Sequence, residues 1–408
     1  MPMSRVLGRW FALLLFALVG VAILPAVALV LWAVTWGGKL VGVSILALLA
    51  LPLFFARWIV APTPRAARAM VLLTGVGAIA LLAAAAVAPP GRSSPGARIT
   101  SHSAVEPASW LRTLLRPVPE IDQVAIGTHL VPFLDPIIDR AAARRIAALT
   151  MPIYLEMEAD PGVRDLGSVL PDAYADLFGY TDDRGHLYQV LPGPTSTATS
   201  TANATSTATE ALIFLHGSAG NFKSYAWVLA ELAESRRMVI VCPSFGFGNW
   251  GRPGGLEAVE RARNYVVQQL GIDPSRIYLA GLSNGGVGVS LAAAHHPDWY
   301  RGLVLISPVM ESSALRSERF VEGWRGRSVL ILEGASDDRV EEPYVTGTVR
   351  QLKRAGIRVR YELVPGEDHF LFFSRRTQSI ATIAEWMGAL GGRSSLQPSG
   401  LGPGPDPE

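Results

Sequence analysis

The sequence predicts an α/β fold, a mostly parallel sheet with helices on both faces, preceded by a bundle of three membrane-spanning helices. Three observations carry that prediction. From Ala211 onward, short apolar runs alternate with helix-length stretches, which is the pattern of parallel strands joined by crossover helices. Residues able to do chemistry stand at the carboxyl ends of those runs, in the order Ser283, Asp337, His369. Ahead of them, the first 88 residues hold three long stretches without charge.

The uncharged stretches run from Trp10 to Gly38, from Leu40 to Ala56 and from Ala69 to Ala88. A helix needs about 20 apolar residues to cross a bilayer, so spans are expected near residues 10–36, 40–60 and 69–88, with Arg57 snorkelling at the end of the second. A cleaved signal peptide has an apolar core of only about 7 to 15 residues, and two further runs would not follow it. Arg5 and Arg9 precede the first span, and Arg57, Arg65 and Arg68 lie in the second connection. By the positive-inside rule these sides are cytoplasmic, which places the catalytic part outside. The chain has one cysteine, as suits an oxidising exterior.

Residues 89–108 are rich in Pro, Gly, Ser and Ala and read as a flexible tether. Residues 109–182 carry periodic apolar positions such as Leu130, Phe133, Leu134 and Ile137. Helices are expected there, either packed on the catalytic domain as a partial lid or lying at the membrane surface. Residues 183–392 form the catalytic domain. Within it, 195–209 contain only Thr, Ser, Ala and Asn and should be a disordered loop, as should the tail 393–408.

The strand pattern gives Ala211–Leu215, Met238–Cys242, Arg276–Leu282, Leu303–Ile306, Val329–Leu332 and Val359–Val364, with helices around Phe222–Glu234 and Leu256–Leu270. Ligands on such sheets bind at the carboxyl ends of the strands. Ser283 sits in Gly281-Leu282-Ser283-Asn284-Gly285, between an apolar strand and a helix of small residues. That turn strains the serine backbone, and small neighbours let the chains approach. A serine hydroxyl becomes nucleophilic when an imidazole takes its proton and a carboxylate orients the imidazole. His369 is placed to be the base, and Asp337 and Asp338 compete for the acid role. The loop His216-Gly217-Ser218-Ala219-Gly220-Asn221 follows a buried strand, where an oxyanion hole made of the backbone N–H groups of Ser218 and Asn284 is expected. His216 is expected to brace this loop. Phe247, Trp250 and Phe370 are candidates for the substrate pocket.

Other readings are less well supported by the residues. With one cysteine and no paired His or Cys at ligand spacing, no metal site is expected. Cys242, inside an apolar strand, reads as an inert buried thiol. There is no P-loop and no dinucleotide fingerprint in context, so neither a cofactor nor a nucleic-acid partner is expected. His295 and His296 end a helix before Pro297 and read as surface or capping residues. Only about twenty residues separate Ser307 from Val329, enough for a crossover helix but not for an inserted cap domain.

From about Leu187 to Leu390 the chain resembles the α/β-hydrolases, nearest to their small-esterase, polyhydroxyalkanoate-depolymerase-like and prolyl-oligopeptidase-like branches. The resemblance rests on His216-Gly217, on Gly281 to Gly286, on Gly334-Ala335-Ser336-Asp337-Asp338-Arg339-Val340 and on Gly366-Glu367-Asp368-His369-Phe370. It implies Asp337 as the triad acid and leaves Asp338 to cap a helix starting near Val340. The expected function is a membrane-anchored serine hydrolase that cleaves carboxylic esters, including lipid-like ones, through an acyl-enzyme. A prolyl-oligopeptidase-like peptidase, or a catalytically idle tethered binding protein, are the alternatives.

Overall fold

The computed structural model describes residues 20, 23–60, 62–93, 97–103, 110–134, 138–177, 186–193 and 208–393. Its centre is an eight-stranded sheet in the order β1-β2-β4-β3-β5-β6-β7-β8. The strands are β1 Ile99–Ser103, β2 His186–Val190, β3 Ala211–Leu215, β4 Val239–Pro243, β5 Ile277–Leu282, β6 Leu303–Ile306, β7 Ser328–Gly334 and β8 Arg358–Val364. β1 and β2 run antiparallel, and β3 to β8 are parallel. The mostly parallel sheet with helices on both faces is the architecture expected from the sequence.

Strands β3 to β7 are buried along their whole length, as continuous apolar runs covered on both faces should be. Alternation sorts their side chains into two cores. Leu212 and Phe214 join Tyr188, Leu229, Phe372 and Trp386 on one face. Ile213 and Leu215 join Val241, Trp250, Val289 and Trp324 on the other. β8 is the exposed edge, and its charges suit one: Arg360 bonds Glu362 at 2.7 Å and Glu385 at 3.1 Å.

The predicted tether is corrected in part, because residues 99–103 are the edge strand β1, paired with β2 from Ile99–Val190 to Ser103–His186. The sheet therefore begins near residue 99 rather than 183. Proline, glycine and serine around it hide a five-residue strand whose one large apolar side chain, Ile99, is buried. The predicted loop 195–209 and the tail fall almost entirely outside the described residues.

Helices Trp110–Leu114, Glu120–Leu134, Arg140–Ala159, Pro161–Arg164 and Leu170–Leu177 fill the segment read as helical. They pack on the sheet domain through a buried polar clamp. Glu120, 1% exposed, accepts from the backbone N–H of Lys223 at 2.7 Å, the Tyr154 hydroxyl at 2.7 Å and the Ser168 hydroxyl at 2.6 Å. The Lys223 ammonium, also buried, donates to the carbonyls of Val163 and Leu166.

At the amino end, two helices, Trp36–Ile59 and Pro64–Val87, are long and apolar enough to cross a membrane, with a shorter apolar helix at Ile23–Trp32. Of the span expected at 10–36, residues 10–19, 21 and 22 lie outside the described residues, and the helix Ile23–Trp32 falls within the rest. Helices start earlier than the charge pattern suggested, at Trp36 rather than 40 and at Pro64 rather than 69. Thr63 caps the latter by accepting from the Ala66 N–H, with Pro64 in the first turn. Small residues (Gly77, Ala80, Ala84) line their contact, where the Ser44 hydroxyl donates to the Gly77 carbonyl.

Candidate active site

β5 ends in a sharp turn into the helix Gly285–His295, and Ser283 at its apex has φ of 51°. A non-glycine residue in that region is strained and needs surrounding structure to hold it. The turn is tight enough that a Cβ on Gly281 would lie 2.5 Å from the Gly285 backbone, and one on Gly285 only 2.2 Å from the Leu215 carbonyl oxygen. The Ser283 N–H donates to the Ile306 carbonyl of the neighbouring strand at 2.9 Å, which fixes the hydroxyl at the carboxyl edge of the sheet.

The three residues separated by up to 86 positions meet there. His369 Nε2 lies 2.9 Å from Ser283 Oγ, and its Nδ1 lies 2.8 Å from Asp337 Oδ2. With Asp337 ionised, Nδ1 carries the proton and donates to the carboxylate, leaving Nε2 free to accept from the serine hydroxyl. Asp337 Oδ1 accepts from the N–H groups of Arg339 at 2.9 Å and Val340 at 2.8 Å. Burial alone would raise the Asp337 carboxyl, but the hydrogen bond and charge of His369, with the Val340 amide, hold it below the usual carboxylate range. Asp338 does not cap a helix as expected. The following helix starts at Glu342, and the amides at the turn are taken by Asp337 itself.

Behind Asp337 stands a residue the sequence reading passed over. Glu333, on β7, is fully buried, and burial pushes its carboxyl up to about 10, with the hydrogen bond and charge of Asp337 adding to the effect. A proton on one carboxyl is what two adjacent carboxyls require, so Glu333 stands neutral beside the ionised Asp337. Lying inside a strand that reads only as apolar packing, it carries no motif.

The loop after β3 is braced as expected. His216 is fully buried, and burial lowers its imidazole to about 4. Its Nε2 accepts from the Phe245 N–H at 3.2 Å and its Nδ1 donates to the Gly217 carbonyl at 2.8 Å. The Ala219 N–H is already committed to the Phe247 carbonyl. The N–H groups of Ser218 and Asn284 donate to no protein acceptor among the described residues, and Ser218 faces the same cavity as Ser283. Trp250 is corrected: it is fully buried rather than in the pocket. Its loop folds back, so that its N–H donates to Asn284 Oδ1 at 3.2 Å and its indole to the His216 carbonyl at 2.9 Å. It thereby ties together the two turns that carry the candidate oxyanion amides.

A cavity of about 470 Å³ opens over Ser283 and His369, with a mostly apolar lining. Phe247 and Phe370 line it. Val124, Val131, Ile146 and Thr150, from the helices Glu120–Leu134 and Arg140–Ala159, line it as well. These helices supply the wall that an inserted cap would otherwise form, and Arg145 ties them to Asp368, beside His369, at 3.0 Å. A larger cleft of about 660 Å³ near Arg98, Glu156 and Arg376 contains none of the three central residues. No group of three His, Cys, Asp or Glu side chains is disposed to hold a metal among the described residues. Burial raises the Cys242 thiol well above its ordinary range, so it is no nucleophile.

The prolyl oligopeptidase family profile matches residues 255–328, the stretch around Ser283. An alpha/beta-hydrolase-type protein of Acanthamoeba polyphaga mimivirus, L404, is 27% identical over 103 residues. That match covers 24% of this chain and 39% of the viral protein. Among solved structures, an esterase of Pyrobaculum calidifontis shares 15% identity at a TM-score of 0.40, covering 50% of this chain and 81% of its own. Est1E of Butyrivibrio proteoclasticus shares 17% at 0.40, covering 51% and 95%. The Staphylococcus aureus fluorophosphonate-binding serine hydrolase FphF shares 18% at 0.41, covering 50% and 91%.

Proposed function

We propose that this chain, which carries an α/β-hydrolase sheet, is a serine hydrolase of carboxylic esters, anchored in a membrane by its amino-terminal apolar helices. The observation that supports the reading most directly is the unbroken chain of hydrogen bonds Ser283–His369–Asp337 at the floor of an apolar cavity. In this reading Ser283 Oγ bonds to the ester carbonyl carbon as its proton passes to His369 Nε2. Asp337 keeps the imidazole in the required tautomer and stabilises the cation. The N–H groups of Ser218 and Asn284 hold the carbonyl oxygen as it gains charge. The carbon–alkoxy bond then breaks, and the leaving alkoxide takes the proton from His369. Water, deprotonated by His369, attacks the acyl-serine, and the returning proton restores Ser283 with release of the acid.

A peptidase of the prolyl-oligopeptidase type is a second reading, favoured by the profile match around Ser283. A panel of p-nitrophenyl esters and dipeptidyl amides, run on the detergent-solubilised protein and on Ser283→Ala, separates the two. The ester reading expects ester cleavage that is lost in Ser283→Ala. Preferential amide cleavage would favour the peptidase, and no turnover of either kind would leave a tethered binding protein.

A further inference from the structure

The helix Glu120–Leu134 is engaged on two sides at once. On one, Val124, Gly127, Thr128 and Val131 wall the cavity over Ser283. On the other, Asp122 grips the turn between the apolar helices Ile23–Trp32 and Trp36–Val60. Its Oδ1 accepts from the N–H groups of Val34 at 2.7 Å and Thr35 at 2.8 Å, and its Oδ2 accepts from the Thr35 hydroxyl at 2.6 Å. The His129 ring lies flat against Trp32, with centroids 4.6 Å apart. Ile126 packs on the cluster of Leu29, Ala33 and Val118. The turn is shaped for this carboxylate, since a Cβ on Gly38 would stand 2.3 Å from Asp122 Oδ2.

A helix with its side chains is about 10–12 Å across, so the cavity sits one helix diameter from the end of the apolar hairpin. Where neither contact covers it, the helix stays apolar: Leu130 is 37% and Phe133 72% exposed, which suits a lipid surface better than water. The helix Pro64–Val87 returns the chain to the same end of the hairpin. The wall of the cavity is thus bolted to the membrane segment rather than left free over the site.

We propose that the substrate is a long-chain acyl ester resident in the bilayer, whose chain passes from the leaflet along the helix Glu120–Leu134 into the cavity and brings its carbonyl to Ser283. This rests on the serine-hydrolase and membrane readings given above. The apolar lining takes the acyl chain, and the dock at Asp122 holds the cavity at the depth where the chain leaves the lipid.

Full-length protein reconstituted into phosphatidylcholine vesicles, with p-nitrophenyl esters from acetyl to dodecanoyl, tests it. Catalytic efficiency is expected to rise with chain length by up to about fourfold per methylene until the cavity is full. Asp122→Ala, which unbolts the wall, is expected to slow the vesicle-held dodecanoyl ester about tenfold or more, as small displacements of bound groups do. The same variant should leave turnover of the dissolved acetyl ester and fluorophosphonate labelling of Ser283 unchanged. The chain-length series on the wild type stands even if that variant does not fold. A flat or falling series, or equal loss on both esters with labelling intact, overturns the proposal and leaves the serine-hydrolase reading in place. Absence of labelling in the folded wild type overturns both.

Discussion

Replacing Glu120 by alanine should destabilise the protein more than any other single change in the helical segment. The carboxylate is almost fully buried and accepts three hydrogen bonds, one of them from the N–H of Lys223, the first residue of the helix that follows the candidate oxyanion loop. Burial raises the Glu120 carboxyl and lowers the Lys223 ammonium, and in each case the partner's charge opposes the shift. Removing Glu120 therefore leaves the buried ammonium with Glu158 as its remaining opposite charge and orphans an amide and two hydroxyls. Breaking one partner of a buried pair costs about 3–5 kcal/mol, with Lys223 still bonded to the Val163 and Leu166 carbonyls. In a chain of 408 residues that is a fall in melting temperature of about 4–6 °C, measurable by tryptophan fluorescence in detergent. Replacing the pair together, Glu120→Leu with Lys223→Met, should recover part of the loss, because the buried ammonium goes with its counter-charge while the orphaned amide and hydroxyls remain. A Glu120→Ala variant within about 1 kcal/mol of the wild type, or a double variant no better than the single, would refute the argument.

Three further outcomes follow from the site. Asp337→Asn should lower kcat by about four orders of magnitude with KM little changed, since the amide selects the wrong imidazole tautomer; a loss under about tenfold would dissociate Asp337 from the chemistry. His216 is held neutral in the fold with its imidazole lowered to about 4, so the unfolded chain takes up the proton first as pH falls. Its contribution is present above about pH 6.5 and is lost towards pH 4, by about 3 kcal/mol in all, a dependence that His216→Gln should remove from the denaturation midpoints. Glu333→Gln keeps the side-chain volume behind Asp337 without a charge and should retain activity, whereas Glu333→Ala, which opens a cavity there, should lower it. Because the buried acid resists ionisation, the glutamine variant should gain stability over the wild type increasingly as pH rises above about 4.5.

Much of this was legible from residues alone where chemistry and backbone constraint coincide. Gly281 and Gly285 announce the strained turn at Ser283 because no other residue fits beside the Leu215 carbonyl, and the apolar runs around them could only be strands buried on both faces. His369 was readable for the same reason, following a strand end, whereas Asp337 was separated from Asp338 only by the family resemblance, because both follow β7 in the same turn. Trp250 was misplaced because an aromatic in a glycine-rich loop reads the same whether the loop points outward or folds back under the helix Gly285–His295. Glu333 was missed because a neutral carboxyl in a strand has no periodic or motif signature. β1 went unseen because pairing with β2, a tertiary event, makes a strand of Ile-Thr-Ser-His-Ser where local composition favours a coil. The cavity wall from the helices Glu120–Leu134 and Arg140–Ala159 likewise depends on long-range docking.

The chemistry of the site depends first on Ser283 being the nucleophile. Mapping the adduct of a fluorophosphonate probe by peptide mass spectrometry tests that directly: one modified site per chain at Ser283, absent in Ser283→Ala and slowed in His369→Ala, is the predicted result. A probe adduct on another residue, or labelling that persists unchanged in Ser283→Ala, would contradict it.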